Sequence, residues 1–193
     1  MLRRYFEENR QKLHALSLLI FFVLVLGIVT GSMFYVKTGV GRSVINDKVS
    51  DAFLKLSKPE NGLMFAKTFF IENLICCTLI FISAYFKLGS LISVGIIIRK
   101  GFVTGFTTAA AVGAYGLSGA ALMSTTAFDL IISTAVLIML AAVSASYSMA
   151  SEKKSKKFLI FFMIFSISIF CVISFSRGFM TTTFMKMIYP KIT

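Results

Sequence analysis

Long apolar stretches with almost no charge constrain this chain more than any other feature. The first, residues 15–36, has no charged side chain. As an α-helix it would be about 33 Å long, enough to cross the roughly 30 Å hydrocarbon core of a bilayer. Inside a bilayer, backbone polar groups must find partners within the protein, and a helix provides them within one segment. These stretches therefore predict membrane-spanning helices.

The composition supports the same class. Of the 193 residues, 57% are hydrophobic and 15% are charged, whereas soluble domains average about 45–50% and about 25%. We expect one membrane domain over residues 1–193, an all-α polytopic transmembrane helical bundle with about five spans. The predicted spans are residues 15–36, 68–86, 88–115, 126–149 and 158–176, with an outer loop at 37–67.

The third span is the hardest to define. Its apolar run at 88–98 is too short to cross a bilayer, and it is followed by Arg99 and Lys100 and then by a glycine-rich segment without charge. Either 88–115 is one broken span, or an interfacial half-helix precedes a span that starts near Gly101. Both alternatives give the same number of crossings. A further break is predicted at Gly116–Gly119, with 120–125 as a short re-entrant piece.

Small residues recur at helical spacing in two of these spans. Gly27 and Gly31 form one pair, and Gly101 and Gly105 form another. Such pairs let two helices approach closely. For Gly27 and Gly31 the alternatives are a packing face, including one for a homo-oligomer, and ordinary glycine usage in a membrane helix.

The loop at 37–67 contains a second kind of pattern. Apolar residues at helical spacing predict a short amphipathic helix from about residue 44 to 57, ended by Pro59 and Gly62. This helix is expected to lie on the membrane surface or dock a partner, or else to rest on the protein's own spans.

The distribution of basic residues predicts an orientation. The formal net charge is +12, and Lys and Arg cluster at the ends of apolar blocks, which favours the positive-inside rule over nucleic-acid binding. Residues 1–14 and the four lysines of 151–157 can both lie in the cytoplasm because four spans, an even number, are predicted between them. The N-terminus is then expected to be cytoplasmic. The 37–67 loop and the C-terminus are then outside, although that loop also carries basic residues.

Few residues carry recognisable chemistry. His14 is the only histidine, so this chain cannot build a histidine-based triad or a multi-histidine metal site by itself. The cysteines show no metal-binding spacing. We therefore expect no enzyme activity, no catalytic residue, no metal and no cofactor. Glu72 and Asp129 lie in apolar blocks, where ionisable groups are expensive. A structural or interfacial role, such as neutralising Arg99 or Lys100, is favoured over ion coupling.

Residues 99–107, Arg-Lys-Gly-Phe-Val-Thr-Gly-Phe-Thr, resemble a glycine-containing segment of the stage II sporulation protein M family. The segment 115–119 is similar to the glycine turn of that family, and 129–132 opens the next span in a similar way. The resemblance covers most of the chain and is weakest at 37–67 and in the tail. The family often has proline before the fourth span, where this chain has Ala127 and Phe128. The residues singled out as important for folding or interaction are Lys100, Gly101, Gly105, Phe106, Gly116, Gly119, Glu72 and Asp129.

The resemblance implies a role beside stage II sporulation proteins P and D, which degrade peptidoglycan. The chain would then be a non-enzymatic scaffold in the septal or mother-cell engulfing membrane. It would localise peptidoglycan hydrolases during septal thinning and engulfment. The alternative, from another class, is a small transporter or permease subunit, suggested by the charged residues within the spans.

Overall fold

Six helices account for almost all of the chain that the structure describes. The computed structural model describes residues 2–38, 42–57, 61–148 and 156–188, and these contain no β-strand. The helices are α1 (Leu2–Lys37), α2 (Arg42–Ser57), α3 (Gly62–Ser83), α4 (Gly89–Tyr115), α5 (Leu117–Ser148) and α6 (Lys156–Ile188).

Five of the helices are long and apolar enough to cross a membrane, which confirms the predicted fold class. The candidate spans are Gln11–Lys37, Gly62–Ser83, Gly89–Tyr115, Thr126–Ser148 and Leu159–Phe179. Many of their large apolar side chains lie on the outside of the bundle, as Leu18, Phe22 and Leu26 do on α1. Lipid is the solvent that such a surface requires.

The core of the bundle is built around α5. This helix contacts α1, α3, α4 and α6. Leu137, Leu140 and Ala141 on α5 are fully buried. Because much of α5 is alanine and serine, the neighbouring helices can approach it closely.

The most extensive helix pair is α1 with α4, and glycines line the contact. A Cβ atom added to Gly27 would lie 2.7 Å from the carbonyl oxygen of Ile98, and one added to Gly101 would lie 2.5 Å from that of Leu24. Both distances are too short for a real carbon atom. The two backbones therefore touch where side chains would otherwise separate them.

This glycine-lined contact, the seam between α1 and α4, continues one turn further along both helices. A Cβ on Gly31 would collide with the carbonyl of Phe102, and one on Gly105 would collide with that of Ile28. Ser32 Oγ also donates a hydrogen bond to the Gly105 carbonyl oxygen, at 3.1 Å. The two glycine pairs found in the sequence are thus partners within one chain.

The third span differs from the broken segment expected from the sequence. Helix α4 runs without interruption through Arg99 and Lys100. The backbone need not break there because Arg99 is exposed at the side of the bundle and Lys100 donates a hydrogen bond to Asn73. The further break predicted at Gly116–Gly119 is confirmed at Gly116, whose φ of 58° is accessible to glycine at little cost.

The re-entrant piece expected at 120–125 is wrong, because α5 begins at Leu117 and continues through it. Gly119 makes this possible. Its Cα lies so close to the Ala111 carbonyl of α4 that a Cβ would collide with that oxygen. The first turn of α5 can therefore pack against the last turns of α4 without a separate broken segment.

The last span also differs from its prediction. Helix α6 continues to Ile188, and its candidate span reaches Phe179, so Arg177 lies in the bundle and not in an outer tail. The reason is that Arg177 has an aromatic partner on α3, described below. Most of the polar break expected at 151–157, and the end of the tail at 189–193, lie outside the described residues.

Helix α2 forms where the amphipathic pattern predicts it and packs against α4 and α6. Tyr35 Oη at the end of α1 donates a hydrogen bond to Asn46 Oδ1 of α2, at 2.9 Å. The structure therefore shows that α2 contacts the protein's own spans, and the docking of a partner on its other side stays a prediction.

Candidate functional site

A cavity of about 460 Å³ lies among the helices, lined by α2, α3, α4, α5 and α6. It extends from Cys76 and Lys100, near the middle of α3 and α4, to Val49 and Ala52 of α2. Its wall combines apolar side chains with threonines and charged groups. The charged residues are Glu72, Arg99, Lys100 and Arg177.

Lys100 is held inside the bundle by a hydrogen bond to Asn73. Its Nζ donates a hydrogen bond to Asn73 Oδ1, at 3.0 Å. Asn73 is completely buried, and its Nδ2 donates to the Phe69 carbonyl oxygen one turn earlier, at 2.9 Å. Because the amide nitrogen is satisfied within α3, the amide oxygen is oriented toward the ammonium group.

Phe69 brings a second cation to the same place. The guanidinium carbon of Arg177 lies 4.2 Å from the centroid of the Phe69 ring, and Lys100 Nζ lies 5.6 Å from it. The negative face of an aromatic ring attracts cations, and the attraction grows when water is excluded. The buried ring on α3 therefore helps to hold cations from α4 and α6.

Two carboxylates, on α5 and α3, interact electrostatically with these cations. Asp129 on α5 is only 4% exposed and interacts electrostatically with Arg177. Glu72 on α3 is exposed and interacts with both Lys100 and Arg177. Of the two carboxylates, Glu72 is thus the one that acts on Lys100. Asp129 instead acts on a residue that the sequence had placed in the tail.

The other residues singled out from the sequence lie away from the cavity. Gly101 and Gly105 belong to the seam between α1 and α4, and Gly116 and Gly119 form the corner between α4 and α5. Phe106 packs beside the end of α1. Its ring lies edge-to-face with Tyr35 at 5.9 Å and at 6.3 Å from Phe34. These residues support the fold, whereas Lys100 and Glu72 line the cavity.

Sequence reasoning missed three members of the site, Phe69, Asn73 and Arg177. Asn73 did carry a signal, because a second polar residue beside Glu72 in an apolar block is expensive unless it has a partner. Phe69 is one of 21 phenylalanines in the chain, and nothing in the sequence distinguishes it from the others. Arg177 stands at the end of an apolar block, where a basic residue normally marks the membrane boundary.

The chemistry that the site offers is positive charge and hydrogen-bond donation. Over the parts of the chain that the structure describes, no group of three or more His, Cys, Asp or Glu residues could hold a metal ion. The cysteine nearest the cations, Cys76, is buried in the cavity wall. The arrangement is suited to binding an anionic group.

Fold and site together define a multi-pass helical membrane protein with a charged cavity between its spans. Comparison with known protein families, with curated proteins and with solved structures gave no match. The resemblance of residues 99–107 to the stage II sporulation protein M family therefore stays a prediction.

Proposed function

We propose that this protein is a non-enzymatic membrane scaffold that localises peptidoglycan hydrolases during septal thinning and engulfment. The observation that carries the proposal is α2, a helix outside the five candidate spans that is fixed to them and presents a charged face. The partners implied by the resemblance are stage II sporulation proteins P and D. The protein would reside in the septal or mother-cell engulfing membrane. In the proposed orientation, α2 lies outside the cytoplasm.

The surface of α2 is suited to recognition. The side chains of Asp47, Lys48, Asp51 and Lys55 are all exposed. The opposite side of the helix is held by the hydrogen bond from Tyr35 and by packing against α4 and α6. Charges of both signs at fixed positions favour one partner over others through electrostatic complementarity.

A scaffold of this kind works by raising local concentration. Holding two enzymes on one membrane platform makes their second contact effectively intramolecular, with no new chemistry. The glycine seam between α1 and α4 supports this role because direct backbone contact leaves little freedom to slide. Partners bound to α2 would thus be held at a constant height above the bilayer.

Reversing the charge of α2 is expected to weaken partner binding. In a variant with Lys48→Glu and Lys55→Glu, we expect recovery of the two sporulation proteins to fall about tenfold, because like charges would oppose a complementary partner. The measurement is quantitative pull-down of the tagged full chain from sporulating cells.

The matched control reverses two other exposed lysines, Lys12 and Lys87, which lie away from α2. This variant should recover both partners at the level of the unmodified chain. Equal recovery with the α2 variant and the control, or recovery of neither protein with the unmodified chain, would contradict the proposal.

A transporter or permease subunit is the second candidate, and the charged cavity favours it. This function would couple the movement of protons or small anions to the charge of Asp129. In proteoliposomes we would then expect a flux that Asp129→Asn abolishes. A flux that is absent from the unmodified protein, or that survives Asp129→Asn, would argue against transport.

A further inference from the structure

We propose that the cavity is a binding site for a phosphate group, with the Lys100 ammonium and the Arg177 guanidinium as its cationic ligands. The group is either the headgroup phosphate of an anionic phospholipid or free inorganic phosphate. This inference goes beyond the scaffold function and does not depend on it. It rests on the donors, the charge balance and the opening of the cavity.

The hydrogen-bond donors are the first argument. Lys100 donates to the neutral amide of Asn73 rather than to a carboxylate. An ammonium group carries three donors and a guanidinium carries five. Lys100 Nζ and the Arg177 guanidinium carbon lie 5.6 Å and 4.2 Å from the centroid of the Phe69 ring, and both residues line the cavity. Charge-assisted hydrogen bonds from such groups are the strongest that phosphate oxygens receive.

The charge balance is the second argument. Arg99, Lys100 and Arg177 line the cavity, while the carboxylates acting on it are Glu72 and Asp129. Among the residues that the structure describes, the cluster therefore has one more cationic than carboxylate side chain. An uncompensated charge there is costly, and a bound anion would remove that cost.

The opening of the cavity is the third argument. Several of its lining residues are exposed on the outside of the bundle, namely Glu72 and Ile75 of α3 and Arg99 and Val103 of α4. The cavity thus opens sideways between α3 and α4, where a bilayer would supply lipid. Its volume falls in the range of about 300–1,000 Å³ that is usual for small-molecule sites.

The apolar part of the wall fits the same ligand. Phe65 and Ile75 on α3 and Leu130 on α5 line the cavity beside the cations. A phospholipid headgroup would place its phosphate at Lys100 and Arg177 and its glycerol and first methylene groups against these side chains. Free phosphate would use the cationic end alone.

The test measures binding to the purified full chain. Native mass spectrometry from nanodiscs of mixed phosphatidylglycerol and phosphatidylcholine should show selective retention of phosphatidylglycerol. Lys100→Gln and Arg177→Gln should each reduce its affinity about tenfold or more, as expected for the loss of a charge-assisted hydrogen bond. Lys12→Gln and Lys87→Gln, which remove exposed lysines outside the cavity, should leave it unchanged.

A second arm identifies the source of the phosphate. The chain in detergent is titrated with inorganic phosphate, and its melting temperature is followed. A rise that Lys100→Gln removes and Lys100→Arg preserves, without lipid retention, supports the site with free phosphate as the ligand. The unmodified chain binding neither probe, or binding either one as tightly after both glutamine substitutions, would overturn the proposal.

Discussion

Replacing Gly105 with leucine is expected to separate α1 from α4 and to lower the free energy of unfolding by about 3 kcal/mol or more. The added Cβ would collide with the carbonyl oxygen of Ile28. Because that atom belongs to the backbone of a helix, it cannot turn away as the end of a side chain can. The hydrogen bond from Ser32 to the Gly105 carbonyl would also be lost.

The measurement is reversible unfolding of the purified chain in mixed micelles. Gly95→Leu provides the matched control, since Gly95 lies on the same helix and a Cβ there would meet no atom within 4 Å. Both substitutions improve intrinsic helix propensity by the same amount. Only the change at Gly105 should therefore destabilise the protein, and equal stability of the two variants would refute close packing at the seam.

This result would also bear on oligomerisation. Gly27 and Gly31 are a candidate dimerisation face when read from the sequence alone, but α4 occupies that face within the same chain. A homo-oligomer would have to use other surfaces. Replacing Gly101 together with Gly105 should consequently disrupt assembly with partners through loss of the folded chain.

Replacing Arg177 with leucine is expected to lower the free energy of unfolding by about 1–2 kcal/mol, because it removes a cation that attracts a buried carboxylate on another helix. Asp129 is 4% exposed and interacts electrostatically with Arg177. The substitution also removes the cation that lies over the Phe69 ring. The cost should thus exceed that of removing a surface charge.

A double-mutant cycle measures the coupling. If the two groups stabilise each other, Asp129→Asn together with Arg177→Leu should be less destabilising than the sum of the single changes by about 1–3 kcal/mol. Arg99→Leu is the comparison, since Arg99 lines the same cavity but is exposed. Strict additivity of Asp129→Asn and Arg177→Leu would show that the two residues act independently.

The fold class could be predicted from the sequence because it follows from the length and hydrophobicity of each segment. Each apolar block carries its own free energy of transfer into lipid, so residues 15–36 predict a span without reference to any other residue. The same holds for α2, whose helical spacing of apolar residues is local. The glycine pairs also predicted close packing, although they did not identify their partners.

The candidate site could be predicted only in part from the sequence. Lys100, Glu72 and Asp129 stood out because charge inside an apolar block is expensive. Arg177 did not, because a basic residue at the end of such a block usually marks the membrane boundary. Its neighbours Phe69 and Asp129 are far away in the chain and come together only when α3, α5 and α6 pack.

The number of apolar helices and the position of α2 thus follow from properties that each segment carries alone. The course of α4 through Lys100, the place of Arg177 in the bundle and the existence of the cavity do not. A charge in a span is tolerated or excluded according to the groups that other helices bring to it. Those groups are set by packing between distant segments, and that packing is a property of the tertiary structure.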